Sequence, residues 1–252
     1  MSDRPNNQAE SKNIYQILFL DIETVPAYVD YEAMPEVFQQ LWRDKSRKYS
    51  SEGLPPEELY FQKAGIHAEF GKIVCISAGY FPDPKLGVHA ENSFRITSFA
   101  SDNEAELLLK FKSLLDKAFS DSRKNALCAH NGIEFDFPYI SRRMMINGIE
   151  LPNLLNTSGT KSWNNPWLID TMQMWSFGDF KDRTSLALLS ACFGIPSSKD
   201  DISGKDVAKV YYYDKDLNRI RIYCEKDVIN LARIFRRFSS LPPFADEDII
   251  IL

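Results

Sequence analysis

The sequence predicts an α/β fold, in which helices pack on the faces of a sheet of mixed strand direction. Three apolar runs of strand length follow one another, and further short apolar runs then alternate with segments of helical periodicity. The chain has 252 residues, of which 44% are hydrophobic. This is enough for one sizeable core, so we expect a single main domain.

Five apolar runs are predicted to form the strands of this sheet. The first run ends at Asp21, and the last two are short and also end beside polar side chains. Their length and their content of β-branched and aromatic residues are typical of buried strands. The predicted strands cover residues 14–20, 72–80, 94–99, 126–129 and 167–169.

Four segments between and after these strands have the apolar periodicity of helices. The first begins near Ser101 and Glu104, which have the spacing of a capping box. The last is the longest and begins near Asp216. The predicted helices cover about residues 101–118, 137–147, 184–193 and 216–235.

Composition divides the chain into a domain and its appendages. Residues 1–13 are polar and are expected to form a flexible N-terminal tail, residues 14–240 the domain, and residues 241–252 a C-terminal tail. Residues 26–70 are polar and charged, with helical stretches at about 31–48 and 56–64. We therefore predict a largely helical insertion between the first two strands, which serves either as a lid or as a partner surface.

Charge and apolar content limit the classes of function. Thirty basic and thirty-five acidic residues give a net charge of −5. This composition disfavours a long, salt-sensitive grip on many phosphates but is compatible with a local grip on one nucleic-acid end, assisted by cations. No apolar stretch approaches the ~20 residues that span a bilayer, and the polar N-terminus does not resemble a signal peptide.

The four cysteines indicate a reducing compartment. None belongs to a CxxC pair, and each lies in an apolar run, which indicates buried thiols in a reducing environment. We therefore expect a soluble cytoplasmic protein without a membrane partner.

Asp21 and Glu23 follow the first predicted strand directly. Residues two apart on a strand share a face, so both carboxylates should point the same way, at the edge where α/β sheets bind ligands. Two close carboxylates repel unless a cation lies between them, and oxygen ligands without histidine or cysteine favour Mg²⁺ or Mn²⁺ over zinc. The alternative is a strand end with two solvated acids.

Two further clusters contain acidic residues beside apolar elements. Asp136 follows the short strand that leads into HNG and opens a helix, where it is either a ligand or an ordinary N-cap. Tyr223 and Asp227 are four residues apart in the last predicted helix and so share a face. The alternative for this pair is a core aromatic beside a surface acid.

Together and in this order, FLDIET, HNGIEFDFPYI and YCEKDV resemble the three exonuclease motifs of the DEDD superfamily of 3′–5′ exonucleases. The resemblance is to the tyrosine branch, as in the proofreading exonuclease domain of family-B DNA polymerases, here in the form of a stand-alone bacterial-type enzyme. It spans about residues 14–238, with residues 26–70 outside it. The histidine branch has a histidine five residues before the last Asp, where this chain has Ile222.

The resemblance implies a ribonuclease-H-like fold, with a five-stranded mixed sheet and helices on both faces. It also implies that two divalent ions, Mg²⁺ or Mn²⁺, are held by four carboxylates, Asp21, Glu23, Asp136 and Asp227. Two such ions about 4 Å apart can activate water and stabilise the leaving 3′ oxygen. Tyr223 would orient the water by hydrogen bonding, because a phenol of ordinary pKa near 10 is a weak base.

The implied reaction is stepwise hydrolysis from the 3′ end of single-stranded DNA or RNA, which releases nucleoside 5′-monophosphates. Thr24 and Asn131 match motif positions that contact the terminal nucleotide in the family. His130 adjoins the site and either contacts substrate or is structural. Phe135 either supports the core or stacks on a base.

The sequence says less about partner proteins and about whether the substrate is DNA or RNA. The chain has no room for a polymerase palm after the exonuclease region, so we expect it to act alone or with a polymerase or repair partner in trans. DNA and RNA both stay open, because discrimination needs contacts to the 2′-hydroxyl. A non-catalytic nucleic-acid-binding or protein-binding module on a degenerate nuclease fold is the competing hypothesis, which the complete set of carboxylates and Tyr223 disfavours.

Overall fold

The computed structural model describes residues 13–86, 93–161, 164–179, 183–198 and 201–252, so most of the predicted N-terminal tail lies outside the described residues. A six-stranded sheet forms the centre of the protein. Its strands are β1 (Ile17–Pro26), β2 (Gly71–Tyr80), β3 (Phe94–Ala100), β4 (Ala126–Ala129), β5 (Leu168–Asp170) and β6 (Ile249–Ile251).

The strand order is β5-β4-β1-β2-β3-β6, which places β1 in the interior of the sheet. β1 runs antiparallel to β2 and parallel to β4, and β4 runs parallel to β5. β2 and β3 are antiparallel. The predicted sheet of mixed direction is therefore confirmed, with one strand more than the five expected.

The additional strand comes from residues 241–252, which the sequence analysis assigned to a tail. β6 pairs in parallel with the edge strand β3, and the Leu252 N–H donates to the Ile96 carbonyl at 2.9 Å. Three consecutive isoleucines suit a pleated strand, and the open edge of β3 supplies unpaired backbone groups for it to join.

Eight helices were found in the described ranges: α1 (Glu36–Ser46), α2 (Pro56–Lys63), α3 (Glu104–Ala118), α4 (Asp136–Ile146), α5 (Thr171–Ser176), α6 (Leu186–Cys192), α7 (Val207–Lys209) and α8 (Leu217–Phe238). Asn103, rather than Ser101, caps α3, because its side chain accepts from the Glu106 N–H. Asp216 caps α8 through the Arg219 N–H, as its position in the sequence suggested. In the part of the chain that is described, no helix is long and apolar enough to span a bilayer.

Alternation along β1 divides the core into two layers. Leu18 and Leu20 pack with residues of α3 and α4 on one face of the sheet. Ile17 and Phe19 pack with residues of α8 on the other. Helices therefore cover both faces, as expected.

The cysteines follow this layering with one exception. Cys75, Cys128 and Cys224 are buried, but Cys192 is exposed. It ends the short helix α6, which turns only part of its surface to the core. The expectation of four buried thiols was therefore wrong at this position.

The segment between β1 and β2 forms a small unit with its own core. It contains α1 and α2, which lie where the sequence predicts helical stretches. The fully buried Trp42 is central to this core, and its indole N–H donates to the Pro56 carbonyl at 2.8 Å. Arg143 of α4 fastens the unit to the main domain, because it donates to the Ala68 carbonyl and pairs with the buried Glu104. The main members of the small core are Tyr31, Met34, Trp42, Leu59, Tyr60, Ala64 and Phe70.

Candidate active site

β1 brings two carboxylates to the sheet face that α8 covers. Glu23 is buried and Asp21 is half-buried. Being two residues apart, they continue the face on which Phe19 packs against α8. The register with β2 shifts between Glu23 and Thr24. Such bulges bend a strand and re-aim the side chain that follows, and they are common beside active sites.

Asp170, at the end of β5, holds the loop between β4 and α4 in place. Its carboxylate accepts hydrogen bonds from the N–H groups of Asn131 at 2.9 Å and Ile133 at 3.1 Å, and also caps α5. Asn131 has φ of +64°, a left-handed conformation that asparagine tolerates. At Gly132, a Cβ atom would lie 2.4 Å from a neighbouring side chain, so only glycine fits. The loop therefore sets where α4 begins.

Asp136 is the first residue of α4 and is buried. The N-cap position belongs to Phe135, so the alternative of Asp136 as an ordinary N-cap is wrong. Its carboxylate instead accepts a hydrogen bond from the backbone of Ile22, between Asp21 and Glu23. The start of α4 is thus tied directly to the carboxylate pair of β1.

α8 contributes the remaining two predicted catalytic side chains. Tyr223 and Asp227 are buried, one turn apart, on the face that contacts the sheet. The Tyr223 hydroxyl is hydrogen-bonded to the Asp227 carboxylate. Burial, followed by the charges of Asp227, Glu23 and Asp21, raises the pKa of Tyr223 well above its usual value. The phenol therefore stays protonated at neutral pH and acts as a hydrogen-bond donor, not as a base.

The four carboxylates influence one another electrostatically. Burial raises the pKa of the Asp21 carboxyl well above its usual range, and the charges of Asp227, Asp136 and Glu23 raise it further. Burial also raises the pKa of Asp136 to about 7. Buried carboxylates are rare unless they are paired or bind a metal. This cluster therefore favours a bound cation over four isolated charges.

Cys224 lies beside the carboxylates and was not predicted as a site residue. Its Sγ lies 3.4 Å from the Asp21 carbonyl oxygen and 3.6 Å from Asp21 Oδ2. Ligand atoms of Asp21, Glu23 and Cys224 all lie within 4.8 Å of one another. Burial raises the pKa of the Cys224 thiol well above its usual value, so it remains a thiol, which is a poor metal ligand. The hard oxygen donors that remain fit Mg²⁺ or Mn²⁺.

The sequence contained one signal for Cys224. It directly follows Tyr223 in the predicted helix and lies in the buried stripe. Its contact with Asp21, however, joins residues 203 positions apart in the chain. Only the packing of α8 on β1 brings that pair together.

The residues predicted to contact substrate lie in different surroundings. Thr24 and Phe135 line a cleft of about 560 Å³ that also borders Glu23. Phe135 additionally packs on Tyr139, with ring centroids 5.3 Å apart, so it both supports the core and faces the cleft. Asn131 lines a separate depression of about 210 Å³.

His130 is held by the protein itself. Its Nδ1 lies 2.9 Å from the Thr171 hydroxyl, and its Nε2 lies 2.9 Å from the Thr184 carbonyl oxygen. Burial lowers the pKa of the imidazole, which is therefore neutral at physiological pH. Both ring nitrogens are used to join the β4–α4 loop to the segment before α6, so the structure favours the structural alternative for this residue.

Comparisons with known proteins identify the family and the fold. A family model described as "Predicted 3′-5′ exonuclease related to the exonuclease domain of PolB" matches residues 66–247, well over half of the chain. The carboxylates of β1 precede the matched stretch. The comparison with curated proteins found no match.

A solved structure, the family B DNA polymerase from the hyperthermophilic archaeon Pyrobaculum calidifontis, is similar with a TM-score of 0.53. The identity is 12%, and the similarity covers 88% of this chain and 24% of the polymerase chain. At this identity the likeness shows a shared fold alone. The chain spans about a quarter of the length of that polymerase.

Proposed function

The chain belongs to the family of predicted 3′–5′ exonucleases related to the exonuclease domain of PolB, and from this premise we propose a specific reaction. The protein hydrolyses phosphodiester bonds one at a time from the 3′ end of single-stranded DNA or RNA and releases nucleoside 5′-monophosphates. The reaction depends on two divalent cations, Mg²⁺ or Mn²⁺. The proposed partner is therefore an unpaired 3′ end, bound by the protein alone or beside a polymerase or repair protein in trans.

One observation carries the proposal. Carboxylates from three elements far apart in the sequence, β1, α4 and α8, meet in a largely buried cluster, where burial and the neighbouring charges raise the pKa of Asp21 and of Asp136. Bringing repelling carboxylates together costs folding free energy. A role in stabilising the fold therefore does not explain why they are clustered. The donor set fits hard divalent cations, and Asp21, Glu23, Asp136 and Asp227 are the residues that would hold them.

Bound cations would supply an activated water and would neutralise charge that develops on the leaving oxygen. The chain's own groups supply orientation. Tyr223, protonated and hydrogen-bonded to Asp227, would fix the direction of a nearby water. The Cys224 thiol donates to Asp21 and holds that carboxylate toward the cluster. The Asp170 hydrogen bonds hold the loop on which Asn131 lies beside the site.

The test uses 5′-labelled single-stranded DNA and RNA of the same sequence, incubated with wild type or Asp227→Asn in Mg²⁺, Mn²⁺ or EDTA. We expect a ladder that shortens from the 3′ end, requires the cation and is absent in the variant. The relative rates on the two substrates show whether the protein prefers DNA or RNA. Binding without shortening by a folded wild type would contradict the proposal and favour a non-catalytic binding module.

A further inference from the structure

We infer that the insertion between β1 and β2 is part of the substrate site. In this inference Phe61 and Ile66 pack against a nucleobase of the bound strand, while Lys205, before α7, binds a backbone phosphate. The inference rests on the proposed function and adds to it a contact for a base and a contact for a phosphate of the bound strand. It also gives the insertion a role beyond that of a separate folded unit.

The cleft beside Glu23 is formed by segments distant in the sequence. The end of β1 supplies Glu23 and Thr24, the insertion supplies four residues between 61 and 66, and the segment before α8 supplies four residues between 203 and 208. Its volume of about 560 Å³ lies within the range of ~300–1,000 Å³ typical of small-ligand sites. A space of this size beside the carboxylates suits part of a single strand, not a duplex.

The insertion contributes two apolar side chains to the cleft wall, beside Gln62 and Gly65. Phe61 is half-buried, and its ring lies against that of Tyr213 with centroids 5.6 Å apart. Ile66 is 52% exposed and lines the same cleft. Neither side chain has an oxygen, nitrogen or sulfur atom that could bind a metal ion. Both offer an apolar surface to a nucleobase, and an aromatic ring stacks on the π-face of a base without regard to sequence.

This wall is held against the carboxylate elements. The Tyr139 hydroxyl of α4 donates to the Gly65 carbonyl at 2.8 Å. A Cβ atom on Gly65 would lie 3.3 Å from the carbonyl carbon of Val25, so the insertion backbone lies directly on β1. A wall fixed to both α4 and β1 does not need to be ordered when substrate binds, which favours affinity.

Lys205 is the basic residue and Glu23 the acidic residue among the described residues that line the cleft. Lys205 is exposed and forms no ion pair with any other residue that the structure describes. Phosphate contacts position a strand without reading its sequence. A lysine in the cleft that borders Glu23 therefore suits a phosphate of the strand whose end reaches the carboxylates.

The experiment measures binding of a fluorescent single-stranded oligonucleotide in Ca²⁺ by anisotropy and its degradation in Mg²⁺. The variants are Phe61→Ala and Ile66→Ala. Leu41→Ala is the matched control, because Leu41 is also 52% exposed and lies on α1 of the insertion, outside the cleft. Each protein is tested on an oligonucleotide with an intact 3′-terminal base and on one with an abasic 3′ terminus.

We expect each cleft variant to weaken binding of the intact oligonucleotide about tenfold, within the range of measured base stacking. The abasic oligonucleotide should bind wild type about as weakly, and the variants should cause no further loss on it, because the same contact is already missing. In Mg²⁺, KM should rise and kcat should be kept.

Lys205→Gln should reduce the slope of log affinity against log salt by about 0.7, whereas Lys117→Gln on α3 should not.

The outcomes separate the inference from the proposed function. Unchanged binding and KM in both cleft variants, with an active wild type, would overturn the inference alone. The wild type could instead be inactive but bind in a way that depends on Phe61 and on the terminal base. That result would overturn the proposed exonuclease activity and support the inferred contact between the insertion and a base. A wild type that neither binds nor cleaves would overturn both.

Discussion

The carboxylate centre and the insertion wall lie side by side but are built in opposite ways. The centre takes its charged groups from β1, α4 and α8, which are regular elements of the main core. The wall comes from the end of α2 and the turn after it, and it presents apolar side chains partly open to solvent. Regular elements thus hold the charged groups in fixed positions at the proposed reaction centre, whereas the insertion exposes apolar side chains where we propose that a base binds.

The two regions also differ in what stabilises them. The carboxylates repel one another and reduce stability in the absence of a cation. The insertion has its own aromatic core around Trp42, Tyr60 and Phe70. Changes in one region should therefore affect chemistry, and changes in the other should affect binding.

The largest effect is expected from Asp136→Asn. Loss of a residue that merely supports a metal ligand costs about 10- to 100-fold, so loss of a ligand should lower kcat by at least ~100-fold. The amide keeps the shape and removes a repelling charge, so the melting temperature in EDTA should not fall. Asp116→Asn, on the exposed side of α3, is the control and should be fully active. Activity above one-tenth of wild type in Asp136→Asn would show that this carboxylate is not a ligand.

Trp42→Phe should affect the insertion and leave the centre intact. It removes a hydrogen bond to Pro56 and part of a fully buried ring system. The expected loss in unfolding free energy is about 1–3 kcal/mol, detected as faster hydrogen exchange in residues 27–70. KM should rise more than kcat falls. Equal loss of kcat and kcat/KM would mean that the insertion acts on the chemistry itself.

Tyr223→Phe keeps the packing of α8 and removes one hydroxyl. Because the phenol stays protonated and transfers no proton, the loss should be smaller than the ~10²–10⁴-fold range of acid–base residues, on the order of tenfold in kcat. Tyr80→Phe, at the far end of β2, is the control. A fall in kcat/KM at unchanged kcat would show that Tyr223 contributes to substrate binding instead.

The metal-free centre should lose stability as pH rises. The folded pKa of Asp136, about 7, exceeds its usual value of 3.8, so the stability associated with the protonated carboxyl is lost as pH rises through 7. In EDTA, the melting temperature should therefore be a few degrees lower at pH 8 than at pH 5.5. Mg²⁺ should restore it at pH 8 and have less effect at pH 5.5, where protons compete. Asp136→Asn should abolish most of this dependence.

The insertion should respond to pH with the opposite sign and a smaller effect. His67 is hydrogen-bonded to the Tyr49 hydroxyl at 2.9 Å, and burial lowers its pKa from 6.5 to about 4. The stability associated with neutral His67 is present above pH 6.5 and is lost as pH falls through 4. Hydrogen exchange in residues 27–70 should accelerate between pH 6 and pH 4, after correction for the intrinsic rate. His67→Gln should remove the difference.

Much of the fold was predictable because its signals are local. The apolar run at residues 14–20 identified the first strand, but in the structure the strand begins at Ile17 and continues through Asp21 and Glu23 to Pro26. The two acidic residues share a face because strands alternate. Tyr223 and Asp227 share a face because helices repeat every 3.6 residues. The long helix begins after Asp216 because that side chain caps it.

Other features lacked a local signal. β6 forms because the edge of β3 is open at that position, and the three isoleucines alone did not indicate a partner. The hydrogen bonds that the Asp170 carboxylate accepts from the N–H groups of Asn131 and Ile133 became evident only in three dimensions. Cys224 could be assigned to the buried stripe of α8 but not to the side of Asp21.

By itself, the sequence determined the class of chemistry and the order of the elements. The periodicity of strands and helices predicts which carboxylates share a face. This periodicity depends on the backbone alone and not on the surroundings. The tertiary structure decided which groups meet. That Asp136 reaches the backbone of β1 and that the insertion borders the cleft beside Glu23 depend on packing between distant segments. Burial, and hence the raised pKa values of the carboxylates, follows from that packing and from nothing in their immediate sequence.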